Sequence, residues 1–319
     1  MPVRTLLALS ALLLALPAIA QTFPSKPIRM IVGYPPGGSG DFLTRLVAEE
    51  MGRDLGVAVI AENRPGAGAT IATDLAAKAV PDGYTILNST HHTINKALYA
   101  KLAYNPDTAF TAVTRVATGP LVIVVNNDTP IKSLAELIAY AKANPGKLFN
   151  AASGNGSSPH LSAVLFQSVA GVQFTTVQYK GGGPAAQSIL AGDTQVMFAT
   201  PPTVMGFIRG GRMRPISVTT RAASPSVPGL PGAAEAGLPG YDSSFSFGLY
   251  VPAGTPAAIV KRLHAAAFKG LSKPEVKEKI AIQGMDSTPS ASPEAFTAEL
   301  REEAPMWERV VKASGARVE

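Results

Sequence analysis

The sequence predicts an α/β chain of two similar lobes, each a mostly parallel sheet flanked by helices, with a cleft between them. Three observations carry the prediction. Short apolar runs alternate with stretches of helical apolar period from Ile28 onward, the pattern of repeated strand–helix units. Two of these units turn from strand to helix through a glycine-rich loop, at 33–51 and at 148–170. Breaks at 126–130 and near 244–250 divide the chain so that one lobe receives both termini. The expected lobes are 22–125 plus 249–319, and 126–248.

The first residues read as an export signal. Met1–Arg4 is a positive start, Leu6–Leu16 an apolar run, and Ala18-Ile19-Ala20 a small-x-small cleavage pattern, so 1–20 is the expected signal peptide. A membrane anchor is the other reading, for which the run is shorter than the roughly 20 residues a span needs.

In the remainder, Ile28–Gly33 is a buried-strand candidate. Phe42, Leu43, Leu46, Val47 and Met51 then recur at helical spacing, with Asp41 where an N-cap belongs and Gly52 and Gly56 at the end. Val57–Glu62 is the next strand, followed by the turn Asn63–Gly66, a helix over Ile71–Ala79 and a strand over Tyr84–Asn88. Leu121–Val125, rich in β-branched residues, reads as a central strand. Ser133 caps a helix to Ala143, which Asn144-Pro145-Gly146 stops. Leu148–Ala152 is a strand, and Ser158 caps a helix with Pro159 in its first position and Gly171 at its end. There follow strand Phe174–Gln178, loop Tyr179–Gly183, a helix from Pro184, strand Gln195–Ala199, helix Val204–Arg209 and strand Pro215–Thr219. Residues 222–243, rich in Pro, Gly, Ser and Ala, form a surface connection. Ser246–Val251 is the last strand, and Thr255 and Ser292 each cap a helix, the second running to about Ser314.

The chemistry concentrates in the glycine loops. A helix N-terminus leaves N–H groups unpaired and carries about half a positive charge. Glycine lets a ligand approach the backbone closely. GYPPGGSGDF (33–42) therefore suits a small anion, or is a plain turn whose Asp41 caps the helix. Neither Gly-Lys-Ser/Thr nor GxGxxG is present. Asp41 would repel a polyphosphate. A carboxylate held by Ser39 and the backbone of Gly37, Gly38 and Gly40 is the more fitting anion, with Tyr34 as an apolar wall. SGNGSSPH (153–160) has the same construction, with Ser153, Ser157 and Ser158 as donors. His160 is either a contact or a surface or capping histidine. Facing each other, the two loops would clamp both ends of a dicarboxylate, or a carboxylate and a polar tail. YKGGGP (179–184) adds an aromatic ring and Lys180, which otherwise is a solvated lysine.

Other functions find little in the sequence. There are no cysteines, no HExxH and no acidic cluster at ligand spacing, and adjacent His91-His92 point apart in a strand, so no metal and no cofactor is expected. The net charge of +6 is scattered rather than interleaved with aromatics, which speaks against nucleic acid. Ser157 or Ser158 near His160 invites a hydrolase reading, but G-x-S-x-G and a spaced acid are missing, and no catalytic residue is assigned.

Five stretches together resemble the Bug family, the TctC-like extracytoplasmic solute receptors of tripartite tricarboxylate transporters. They are YPPGGSGDFLTRLV, ENRPGAGATIATDLAAKAVPDGYTI, SGNGSSPHL, YKGGGPAAQSILAGDTQVMF and FGLYVPAGTP, and the likeness runs from about Pro24 to the C-terminus. The resemblance implies a type II-like periplasmic binding protein, acting as a monomer, that closes on a small carboxylate. It would deliver this to a membrane permease with large and small subunits. The family's cleft motifs map onto Tyr34 to Asp41, onto Ser89 and Thr90, onto Ser153 to His160, and onto Ala199 and Thr200. Two departures stand out. Ala199-Thr200 replaces the family's frequent Asp or Asn, which implies a carboxylate without a positive group. Phe245-Ser246-Phe247-Gly248 lacks the family's frequent Trp, a change expected to alter packing near the hinge. A carboxylate sensor without transport, or a serine hydrolase, are the other readings.

Overall fold

The computed structural model describes residues 23–90, 98–99 and 101–314, without the side chains of 306, 313 and 314. The expected signal peptide and His91-His92 lie outside the described residues.

The chain begins with β1 (Ile28–Val32), α1 (Ser39–Leu55), β2 (Val59–Asn63), α2 (Thr70–Ala77), β3 (Thr85–Ser89) and β4 (Phe110–Pro120). It continues with β5 (Val122–Val125), α3 (Leu134–Ala143), β6 (Phe149–Ala152), α4 (Ser158–Ala170), β7 (Thr175–Gln178), α5 (Gly182–Ala191), β8 (Val196–Ala199), α6 (Pro201–Arg209) and β9 (Arg214–Val218). Last come β10 (Ser244–Pro252), α7 (Ala257–Leu271), α8 (Pro274–Ile282), β11 (Asp286–Ser287) and α9 (Pro293–Ser314).

These strands form two sheets, β11-β4-β10-β3-β1-β2 and β7-β6-β8-β5-β9. The architecture is the expected two-lobed α/β fold. Each sheet is mixed rather than mostly parallel: β1, β2 and β3 run together, as do β6, β7 and β8, while the remaining pairings are antiparallel. The cause lies in the crossings. β4 runs into β5 with only Leu121 between them, so the chain enters the second sheet without a helix to reverse it. Alternation then sorts each strand's faces. In β5, Ile123 and Val125 join the large core shared by both lobes, and Val122 and Val124 the smaller core under α5.

The chain changes sheet at Leu121 and at Ser243, before the expected boundaries, because Val122–Val125 pairs in the second sheet and Ser244–Gly248 in the first. Thr219 clasps both crossings. Its N–H donates to the Leu121 carbonyl at 3.0 Å and its hydroxyl to the Ser243 carbonyl at 2.7 Å.

Cap chemistry sets the helix starts that matter for the site. The N-cap of α1 is Gly38, not Asp41, which sits in the first turn. The N-cap of α4 is Ser157, not Ser158, because the Ser157 hydroxyl accepts the His160 N–H at 3.4 Å. Ser133 and Ser292 cap as expected. Thr255 instead donates to the Pro252 carbonyl, leaving Pro256 to precede α7. Glycines in the left-handed region end α1 and α4, at Gly56 and Gly171. β4, α8 and β11 have no counterpart in the expected elements.

Candidate functional site

All six parallel strands present their C-terminal ends to one cleft. Loops at the carboxyl ends of parallel strands are where α/β folds hold ligands. The loops after β1, β3, β6, β7 and β8 line a single cavity of about 550 Å³ including its mouth. That volume falls in the roughly 300–1,000 Å³ range of small-molecule sites. The loop after β2 lines a smaller neighbouring cavity, with Tyr179 and Lys180 opposite.

Four helices begin at the main cavity. Gly38, Ser39 and Gly40 line it from α1, Ser157 to Pro159 from α4, Gly182 to Pro184 from α5, and Thr200 and Thr203 from α6. Their dipoles converge on it. Among the described residues no charged side chain lines it.

The four starts differ in the donors they leave free. In α1 the first-turn N–H groups of Ser39, Gly40 and Asp41 have no intrahelical acceptor, since pairing begins with Phe42 to Gly38. In α4 the second position is Pro159, and the His160 N–H goes to Ser157, which leaves the Ser158 N–H. In α5 Pro184 follows Gly182 and Gly183, which keep theirs. In α6 the first two positions are Pro201 and Pro202, and the Thr203 N–H bonds the Thr200 carbonyl. That start offers hydroxyls only, paired with each other at 3.0 Å.

Two hydroxyls stand out. Ser39 and Ser158, 4% and 3% exposed, line the cavity from opposite lobes, and neither Oγ has a hydrogen-bond partner. A buried hydroxyl without a partner costs about 1–3 kcal/mol. Two such groups flanking one cavity are donors available to an acceptor that enters it.

The expected site residues divide into lining and backing groups. Tyr34, Gly38, Ser39, Gly40, Thr90, Ser153, Ser157, Ser158 and Thr200 line the cavity. Gly37, Asp41, Ser89, His160 and Ala199 do not. Ser89 and Ala199 are the buried last residues of β3 and β8. Asp41 is turned back: its carboxylate accepts the Gly37 N–H at 3.1 Å, Arg45 Nε at 2.9 Å and Asn63 Nδ2 at 2.9 Å. Burial raises its pKa, but these three donors outweigh it and hold the group below the usual carboxylate range. His160 accepts the Gly156 N–H on Nδ1 at 3.1 Å, and desolvation pushes its pKa down to about 4. It is a buried acceptor that stands behind the cavity wall.

The chain's family is decided by comparison. The family model described as "Tripartite tricarboxylate transporter family receptor" (TctC) matches residues 43–315. The chain belongs to this family. Three solved structures show the same architecture. R. palustris Rpa4515 with adipate is 33% identical, with a TM-score of 0.88 over 93% of this chain and 100% of that one. The periplasmic binding protein BugD is 31% identical, with a TM-score of 0.86 over 93% and 100%. MatC from Rhodopseudomonas palustris with bound malate is 32% identical, with a TM-score of 0.85 over 91% and 100%.

In this member of the TctC family, part of the wall was not legible in the sequence. Pro35, Pro36 and Pro159 lie inside the motifs already singled out, and Gly182 to Pro184 in the third glycine loop. Thr203 lies one turn into α6, where no glycine signals a loop. Phe247 was expected to matter for hinge packing. It lines the cavity, its ring edge-on to Tyr34 with centroids 6.3 Å apart.

Proposed function

We propose that the chain is a periplasmic solute receptor that captures a small carboxylate between its lobes and delivers it to a tripartite tricarboxylate transporter permease. The observation that carries this reading is the pair of buried, unpartnered hydroxyls, Ser39 and Ser158, at helix N-termini of opposite lobes. Neutral donors and dipoles suit a mononegative head group. The named relatives that hold adipate and malate support the same ligand class.

The ligand carries no ammonium group. Among the described residues no acid lines the cavity, and Asp41 is occupied by Gly37, Arg45 and Asn63. An ammonium there would be desolvated without a partner. Tyr34, Phe247 and the prolines face its carbon skeleton. Helix termini contribute about 2 kcal/mol each at most, and a micromolar ligand needs about 8 kcal/mol. Hydrogen bonds and burial against the apolar wall supply the rest.

The serine hydrolase reading gains no support from the geometry. The Ser157 hydroxyl donates to the Gly154 carbonyl at 2.7 Å, and His160 Nδ1 is occupied by Gly156. The protein is a binder rather than an enzyme and acts as a monomer.

The test is a thermal-shift panel of mono-, di- and tricarboxylates, aromatic acids and amino acids. One acid class should raise Tm, and each amino acid should bind more weakly than its deaminated analogue. Tighter binding of the amino acid would refute the proposed ligand class. Loss of uptake of that acid in cells lacking the receptor tests delivery against a sensor role.

A further inference from the structure

The two glycine loops are held by the same contact, made once by a carboxylate and once by an imidazole. Asp41 is the third residue of α1, and His160 the third residue of α4. Asp41 Oδ2 accepts the Gly37 N–H, and His160 Nδ1 accepts the Gly156 N–H, each at 3.1 Å and each across four residues. Both donors are glycines with positive φ, 91° and 76°. Both acceptors are 7% exposed, and neither lines the cavity. Each therefore bends its loop so that the next residues, Gly38 to Gly40 and Ser157 to Pro159, form the wall.

Their surroundings differ in charge. Asp41 is matched by Arg45 and Asn63. Among the described residues no hydrogen bond or ion pair joins His160 to a charged group. A carboxylate at 160 would place an unbalanced negative charge directly behind Ser158. An imidazolium would lose the lone pair on Nδ1 that holds Gly156.

We propose that His160 is a positioning residue, the neutral counterpart of Asp41, held as the Nε2–H tautomer so that Nδ1 fixes the lobe-two loop without adding charge behind the anion site. The acceptor role stands on geometry alone. The requirement for neutrality rests on the carboxylate reading above.

Two measurements test it. In ligand-free protein near neutral pH, 15N NMR of the His160 ring should show Nδ1 unprotonated and Nε2 protonated. A protonated Nδ1 would overturn the proposal whatever the ligand. In titrations with the best acid from the panel, His160→Asn places Oδ1 where Nδ1 was and should stay within about threefold of the parent, whereas His160→Ala should weaken binding about tenfold. His160→Asp keeps an acceptor but should bind more weakly than His160→Asn, because of its charge. If His160→Ala does not fold, the Asn and Asp variants and the tautomer carry the test. Equal binding by Ala and parent, or by Asp and Asn, contradicts the role. If the parent binds no carboxylate, the carboxylate reading fails and the tautomer alone decides the positioning role.

Discussion

Ser39 and Ser158 make the account testable at the level of single atoms. Each holds a buried hydroxyl with no internal partner. Removing it relieves a cost in the empty protein and removes a donor from the complex. Ser39→Ala and Ser158→Ala should therefore leave ligand-free Tm unchanged or slightly raised, while each weakens carboxylate binding about tenfold by calorimetry. A fall in Tm with unchanged affinity would mean that the hydroxyls serve the fold. His160 gives a pH signature. Its folded pKa, about 4, lies below the unfolded value of 6.5 because burial disfavours the charged ring. Stability from the neutral ring is thus complete above about 6.5 and lost as pH falls toward 4, since the unfolded chain binds the extra proton there. The loss is about 3 kcal/mol at most. Urea melts of parent and His160→Asn between pH 7 and 4 should show a steeper decline in the parent. At this scale the sequence was only partly legible. It located Asp41 and His160 at helix starts, but which way a side chain turns depends on Arg45, Asn63 and the glycine φ angles, and none of these is a local pattern.

At the scale of elements, the helix starts decide where an anion can sit. Pro201 and Pro202 strip α6 of first-turn donors, whereas α1 keeps three. In the proposed complex the head group should therefore sit where donors remain, at α1, α4 or α5, and the α6 end should receive a hydroxyl or apolar portion. The loop after β2 meets lobe two at close range. Gly68, with φ of 61°, packs against Asn155 of lobe two: a Cβ there would overlap the Asn155 carbonyl oxygen, and also the hydroxyl of Tyr99 from its own lobe. Gly68→Ala should hold the lobes apart: small-angle scattering of the ligand-saturated variant should give a larger radius of gyration than the parent. Identical radii would show that this contact does not limit closure. Strand–helix units were legible because Gly, Pro and Ser punctuate them. β4 was not. Thr111, Thr114, Arg115 and Thr118 interrupt its apolar residues, and three of them bond distant segments: Arg115 Nε donates to the Thr288 carbonyl, the Thr118 hydroxyl donates to the Phe245 carbonyl, and the Thr114 hydroxyl accepts the Ser290 N–H. α8 buries only Val276 and Ile280, too short a stripe to read.

At the scale of the molecule, two sheets joined at Leu121 and Ser243 and clasped by Thr219 leave a cleft whose walls come from both lobes. The lobes were legible from the repeated glycine turns, while the exact crossings were not, because β5 and β10 are apolar runs that suit either sheet. No described helix is long and apolar enough to cross a membrane. If the first twenty residues direct export, N-terminal sequencing of the protein recovered from the periplasm should begin at Gln21; a retained Met1 would contradict cleavage. The central claim is that neutral donors from two lobes recognise a carboxylate as an anion. The most direct test is a calorimetric titration of the best acid beside its primary amide, which keeps the shape and removes the charge. The amide should bind at least about a hundredfold more weakly, near 3 kcal/mol. An amide that binds as tightly as the acid would contradict it.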